Sequence, residues 1–169
     1  MIWRKSKVSV KVPYYKQQET YTCGPASMQM IFDYFRYYQS QNELAKQMGT
    51  NKERGTDNDR LVKTATSHGF FCYVNNNSSF DEIRHFLGRG LPSIVNFIEP
   101  INNEIHFAVV SGLTRRSIIL NDPWNGKNFK MLRKDFLDRW HDSRNIHKEW
   151  IMVVARDSSQ LGRYYFPSK

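Results

Sequence analysis

The sequence predicts an α+β protein in which an N-terminal helical part packs on a C-terminal antiparallel β-sheet. In the first half, apolar residues recur at helical spacing, and Ser, Asp and Gly stand where helices start and stop. The second half holds short runs rich in β-branched and aromatic residues, broken by turn residues. Helices first and strands after is the order of a fold with segregated layers. At 169 residues the chain is of one-domain size, so a single domain over 1–169 is expected, with its core at about 8–156 and a tail, polar then aromatic, at 157–169.

The alternation Val8, Val10, Val12 predicts a short strand that ends before Pro13. A helix follows from Gly24 to about Tyr37, with Pro25 suited to its first turn and Met30, Ile31, Tyr34, Phe35 and Tyr38 forming a core stripe. Ser40-Gln41-Asn42-Glu43 has the form of a capping box, opening a helix through Leu44 and Met48 that stops at Gly49. Thr56-Asp57-Asn58-Asp59 opens another, which carries Leu61, Val62 and Ala65 inward and ends at Gly69. Phe70 to Val74 reads as a strand, and Ser79 starts a helix with Ile83, Phe86 and Leu87 on one side, closed near Gly90. Four runs, 92–98, 106–113, 117–121 and 149–156, then read as a buried antiparallel sheet. Between the last two, a helix over about 133–140 is expected to turn Phe136, Leu137 and Trp140 inward.

Composition excludes several function classes. No run reaches the roughly 18 apolar residues of a membrane span, and Met1-Ile2-Trp3-Arg4-Lys5 lacks the features of a signal peptide, so a cytoplasmic protein is expected. Two cysteines form no disulfide framework, and the five histidines show no metal-ligand spacing; neither metal nor organic cofactor is expected. The formal charge of +9 is spread in short clusters, Arg4-Lys5-Ser6-Lys7, Arg115-Arg116 and Arg133-Lys134. That is the pattern of a solvated surface more than of a nucleic-acid site, and it points to acidic substrates.

Cys23, in Thr22-Cys23-Gly24-Pro25-Ala26, stands at a helix start, where unpaired amides and the helix dipole lower a thiol pKa. A cysteine nucleophile needs a base, a group to orient that base, and donors for the oxyanion. His106, opening a strand, is the candidate base. Taken alone it would be structural; Asp122, at the end of the next strand, is placed to orient it through a hairpin at 114–116. Asp122-Pro123 is also an ordinary turn signal, and Asn121 is a fallback orienter that strand alternation turns to the other face. Gln17 can donate to the oxyanion beside the Cys23 amide, and only spacing separates it from Gln18. Cys72, amid Phe70, Phe71, Tyr73 and Val74, reads as an inert buried thiol, and Trp124 as a core residue.

Gln17-x5-Cys23-Gly24-Pro25-Ala26-Ser27, Gly55-Thr56, His106-Phe107-Ala108-Val109-Val110 and Asn121-Asp122-Pro123 together resemble the bacteriocin-processing, double-glycine-type (C39-like) cysteine peptidases of the papain-like superfamily. The resemblance runs from about Val12 to Pro123. It implies a papain-like fold, Cys23 as nucleophile, His106 as base, Asp122 as its orienter and Gln17 as oxyanion donor. Thr22 replaces the aspartate usual in transporter-borne members, and neither a membrane span nor a P-loop is present, so the chain resembles the free-standing relatives. The reaction implied is hydrolysis of a peptide or amide bond in a peptide or protein substrate through a Cys23 thioester. Acyl transfer to an amine is the enzymatic alternative, and a non-catalytic basic module binding nucleic acid or protein is the other; the latter has no use for the four residues.

Overall fold

The computed structural model describes residues 7–164, so Arg4 to Ser6 of the first basic cluster and the aromatic end of the tail after Tyr164 lie outside the described residues. Its elements run β1 (Lys7–Ser9), α1 (Cys23–Tyr34), α2 (Gln41–Met48), α3 (Asn58–Ser67), β2 (Phe71–Asn75), α4 (Phe80–Gly88), β3 (Ser93–Ile98), β4 (Ile105–Thr114), β5 (Ser117–Asp122), β6 (Gly126–Leu132), α5 (Arg133–Arg139) and β7 (Ile151–Ala155), closed by a 3-10 helix (Ser158–Tyr164). Among the described residues, the strands form one seven-stranded sheet in the order β2-β7-β3-β4-β5-β6, all pairs antiparallel. β1 pairs with Gly112 to Thr114, the length of β4 that β3 leaves free. No helix among the described residues is long and apolar enough to cross a membrane.

Both faces of the sheet are covered. α1, α2 and α3 bring Met30, Ile31, Phe32, Leu44, Met48, Leu61 and Ala65 against Ile94, Phe107, Val109 and Met152. The opposite face, with Val95, Phe97, Ala108, Val110 and Leu120, packs on Ile83 and Phe86 of α4, on Phe136 of α5 and on Trp140. Double coverage explains why β3, β5 and β7 read as mostly apolar runs without alternation: almost every side chain in them is buried. The expected layering holds, with two refinements: β2 joins the sheet from the helical half, and α4 and α5 supply a second helical layer.

The serine half of the expected capping box on α2 is present, Ser40 Oγ accepting from Glu43 N–H (3.2 Å), and Ser79 caps α4 in the same way. Asp57 occupies the N-cap of α3 without a side-chain cap bond. α1 ends three residues before the expected Tyr37. Arg36 takes a left-handed φ of 57°, and the amides of Arg36 and Tyr37 return to Asp33 O and Phe32 O (2.8 Å each). This is a Schellman end made without glycine, which hid it from the sequence pattern. Tyr38 is consequently 71% exposed, not core.

Leu137 also departs from expectation, facing solvent while Phe136 and Trp140 are buried. β6 had no sequence counterpart because it is an edge strand, polar outside with only Phe129 and Met131 turned to the core. The tail docks: Leu161 is fully buried, and Arg89 donates to Gln160 O (2.8 Å) and Ser159 O (3.3 Å).

The loop between α2 and α3 closes over the start of α1. Its Asn51–Gly55 bridge presents Thr56 so near Gly24 that a Cβ there would lie 2.7 Å from Thr56 Oγ1. Gly24→Ala is therefore expected to lower unfolding free energy by about 1–3 kcal/mol in urea titrations. Adding Thr56→Ala should recover part of that loss, a non-additivity expected of touching residues.

Candidate active site

Cys23 is the first residue of α1, and the segment leading to it is tied to the end of β5. Asn121 Nδ2 donates to Val12 O (2.9 Å), the Tyr14 hydroxyl to Asp122 O (2.9 Å) and the Gln17 amide to Pro123 O (3.0 Å). From α2, buried Gln41 clamps the same segment. Its Oε1 accepts from the Gln18 amide (2.8 Å) and the Thr22 hydroxyl (2.9 Å), and its Nε2 donates to Lys16 O (3.2 Å). Thr22 Oγ1 also accepts from the Glu19 amide (3.0 Å), so the residue before the cysteine is a pin in this turn. A carboxylate there could not donate to Gln41 Oε1.

His106 is the second residue of β4, and Asp122 is the last of β5. Val110 pairs with Leu120, and His106 and Asp122 each lie an even number of residues from that pair, which brings both to one face. Their contact is direct: His106 Nε2 to Asp122 Oδ1, 2.6 Å. Asp122 Oδ1 further accepts from the amides of Trp124 (2.9 Å) and Asn125 (3.0 Å), and Oδ2 accepts from Asn125 Nδ2 (3.1 Å). Asn121 turns to the other face, as its alternation predicts. With Nε2 on the carboxylate, Nδ1 is the ring nitrogen that serves the hydrogen bond between His106 and the Cys23 thiol.

The three groups are buried and set one another's charge. Burial pushes the Cys23 thiol up, but hydrogen bonding and charge from His106, with the amides of Phe107 and Gly24, outweigh it and bring the pKa below its ordinary value. Burial works against a charged ring at His106, yet Asp122 and Cys23 together raise it to about 10. At Asp122, burial is outweighed by His106 and by the amides of Asn125 and Trp124, so its pKa is lowered. Each of the three shifts favours the charged form of its neighbour, thiolate beside imidazolium and imidazolium beside carboxylate.

Gln17 is buried and lines the same groove, whereas Gln18 faces solvent. Gln17 Nε2 donates to Glu19 O (2.7 Å), which fixes the amide and leaves its second hydrogen free. The groove, about 930 Å³, takes in Cys23, His106, Thr56, Asn58, Asn96 and Trp124. Its rim mixes Lys52, Arg54, Arg60 and Lys63 with Asp57, Asp59 and Glu104, so the chain's positive charge is not concentrated there. Trp124 is a correction: it is 42% exposed on the groove wall, because the turn that lets its amide reach Asp122 swings its ring outward. Cys72 is half-buried, with burial pushing its thiol up to about 12.

Three supporting residues escaped the sequence reading: Gln41, Asn125, and Glu99, which approaches Asn125 Nδ2 (3.5 Å) and accepts from the Ile101 (2.8 Å) and Asn102 (2.6 Å) amides. Asn125 had a signal, since an aspartate three residues earlier in a turn invites bonds from the amides that follow. Gln41 and Glu99 had none. Among the described residues, no group of three or more His, Cys, Asp or Glu side chains is arranged to hold a metal ion.

An antiparallel sheet that delivers a histidine–aspartate pair to a thiol at a helix start is papain-like architecture. The chain matches the Peptidase C39-like family over residues 9–147 and belongs to that family, which makes it a cysteine-type peptidase. No curated protein sequence matches it. Among solved structures, it is similar to the peptidase domain of Streptococcus ComA, a bi-functional ABC transporter (23% identity, 87% of this chain and 98% of that one, TM-score 0.70). It is also similar to a protein described as a C39-like peptidase from Bacillus anthracis (15%, 89% and 98%, TM-score 0.74). A third is a double glycine motif protease from an AMS/PCAT transporter, solved with a leader peptide (20%, 87% and 93%, TM-score 0.67).

The ultraviolet thiolate absorbance of Cys23 is expected to rise at lower pH than that of an ordinary thiol, to move to higher pH in His106→Ala, and to be followed by a second component only near pH 12 from Cys72. The stabilisation drawn from charged His106 is present in full below its ordinary 6.5 and is lost as pH rises through about 10. That drawn from the thiolate has the opposite sign: it is present above the ordinary thiol value and lost as pH falls through the lowered one. Unfolding midpoints measured across pH check both directions.

Proposed function

We propose that the protein hydrolyses peptide bonds in a peptide or protein substrate, with Cys23 as nucleophile, His106 as acid and base, Asp122 as its orienter and Gln17 as oxyanion donor. The observation that carries this reading is the buried His106–Asp122 pair, Nε2 to Oδ1 at 2.6 Å, in the same groove as Cys23 at the start of α1. Cys23 Sγ attacks the carbonyl carbon, and the oxyanion takes hydrogen bonds from Gln17 Nε2 and the Cys23 amide. His106 Nδ1 gives its proton to the leaving amine, which departs and leaves a thioester on Cys23. Water then gives a proton to His106 and its oxygen to the acyl carbon; the sulfur leaves as thiolate, and the ring is again charged. Asp122 keeps Nε2 protonated throughout, so Nδ1 is the nitrogen that exchanges.

The leader peptide bound by a related protease supports a peptide as the ligand of this groove. Digestion of a random peptide library followed by mass spectrometry tests the reading. Wild type is expected to cleave and to show a transient acyl adduct on Cys23, whereas Cys23→Ala does neither. Gln17→Ala should lower kcat by about 10²–10³-fold, the usual effect of losing one oxyanion donor. Cleavage that persists in Cys23→Ala would overturn the assignment.

A further inference from the structure

Two asparagines at the floor of the groove have no part in the chemistry above. Asn96, on β3, is 2% exposed, and Asn58, the first residue of α3, is 8% exposed; both line the groove. Asn96 Nδ2 donates weakly to Asn58 Oδ1 (3.5 Å), while Asn58 Nδ2 and Asn96 Oδ1 have no partner. Buried amide groups are ordinarily satisfied, so one donor and one acceptor left open side by side need an explanation. Rotating both amides by half a turn restores the same pattern, one mutual bond with one donor and one acceptor open.

Resting on the peptidase reading, we propose that Asn58 and Asn96 form a specificity subsite for a primary carboxamide, the side chain of a substrate asparagine or glutamine. A carboxamide matches the open pair: its oxygen accepts from Asn58 Nδ2, and its nitrogen donates to Asn96 Oδ1. A carboxylate sets an acceptor against Asn96 Oδ1, an ammonium leaves Asn58 Nδ2 unpaired, and an aliphatic or thioether chain leaves both unpaired. Depth selects a side chain over substrate backbone: both open atoms are covered, and a substrate carboxamide meets them by turning the two amides toward the groove that their residues line. Position places it near the scissile bond. Asn96 pairs across the sheet with Phe107, the residue after His106, so the subsite lies one strand spacing, about 4.8 Å, from the strand that carries the base. An extended substrate covers such a span in one to two residues.

The test is binding without turnover. The protein labelled with nitrogen-15 and carrying Cys23→Ala is titrated with capped Ala-Gln-Ala and Ala-Asn-Ala tripeptides and with the methionine counterpart, following the side-chain NH₂ resonances of Asn58 and Asn96. Expected are saturable shifts of both resonances with a carboxamide peptide, and affinity at least about tenfold weaker for methionine. In the N58L/N96L variant the distinction disappears while the thermal midpoint stays level or rises, because removing both partners leaves no unpaired group. Equal responses to all three peptides, no response to either carboxamide peptide, or a distinction that survives in the double variant overturns the proposal; equal responses are the pattern of a pair filled by fixed water. The parent titration decides even where the double variant does not fold. Failure of the peptidase reading shows separately, as absent cleavage by wild type.

Discussion

Three ionisable groups sit in line where water barely reaches, and none of them is charged stably without the next. Buried charge is costly unless it is paired and hydrogen-bonded. A lone Cys23 would be a neutral thiol, as Cys72 is; a lone His106 would be a neutral ring. Asp122, held by two backbone amides, the Asn125 side chain and His106, is the fixed end on which the other two depend. Through the ring its negative charge favours the imidazolium, and the imidazolium favours the thiolate.

Much of the surrounding architecture serves that line. β5 stops at Asp122, and the turn after it supplies the amides that fix the carboxylate. β4 runs past β5, so the amide of Phe107 reaches the sulfur of Cys23. The segment before α1 runs beside the end of β5 and is clamped by Gln41, which places Gln17 and the thiol on the same wall as the histidine. Helical layers on both faces keep the sheet from shifting beneath these contacts. The geometry of the line is set by strand ends and a helix start, which are tertiary features, yet each is specified by a few local residues.

Those local residues explain what could be read before folding. The Cys23 helix start, the hairpin at 114–117 and strand parity between positions 106 and 122 depend on neighbours in sequence, so Cys23, His106 and Asp122 could be grouped in advance. Elements were legible where periodicity or caps were strong, as at Ser40 and Ser79. Legibility failed where tertiary contact replaced local signal. Arg36 closes α1 without glycine, β6 hides its apolar pair among polar residues, and Trp124 is turned outward by a bond its backbone makes to Asp122. Gln41, Glu99 and the Asn58–Asn96 pair act across distances of 19 to 38 residues along the chain, and nothing in their own segments announces it.

The central claim is that Asp122 and Cys23 hold His106 as an imidazolium at neutral pH. The nitrogen-15 shifts of its two ring nitrogens report this directly. The account predicts that both carry protons at pH 7, with the Nδ1 proton lost in titration only as pH approaches about 10. A neutral ring at pH 7, with one bare nitrogen, would contradict it.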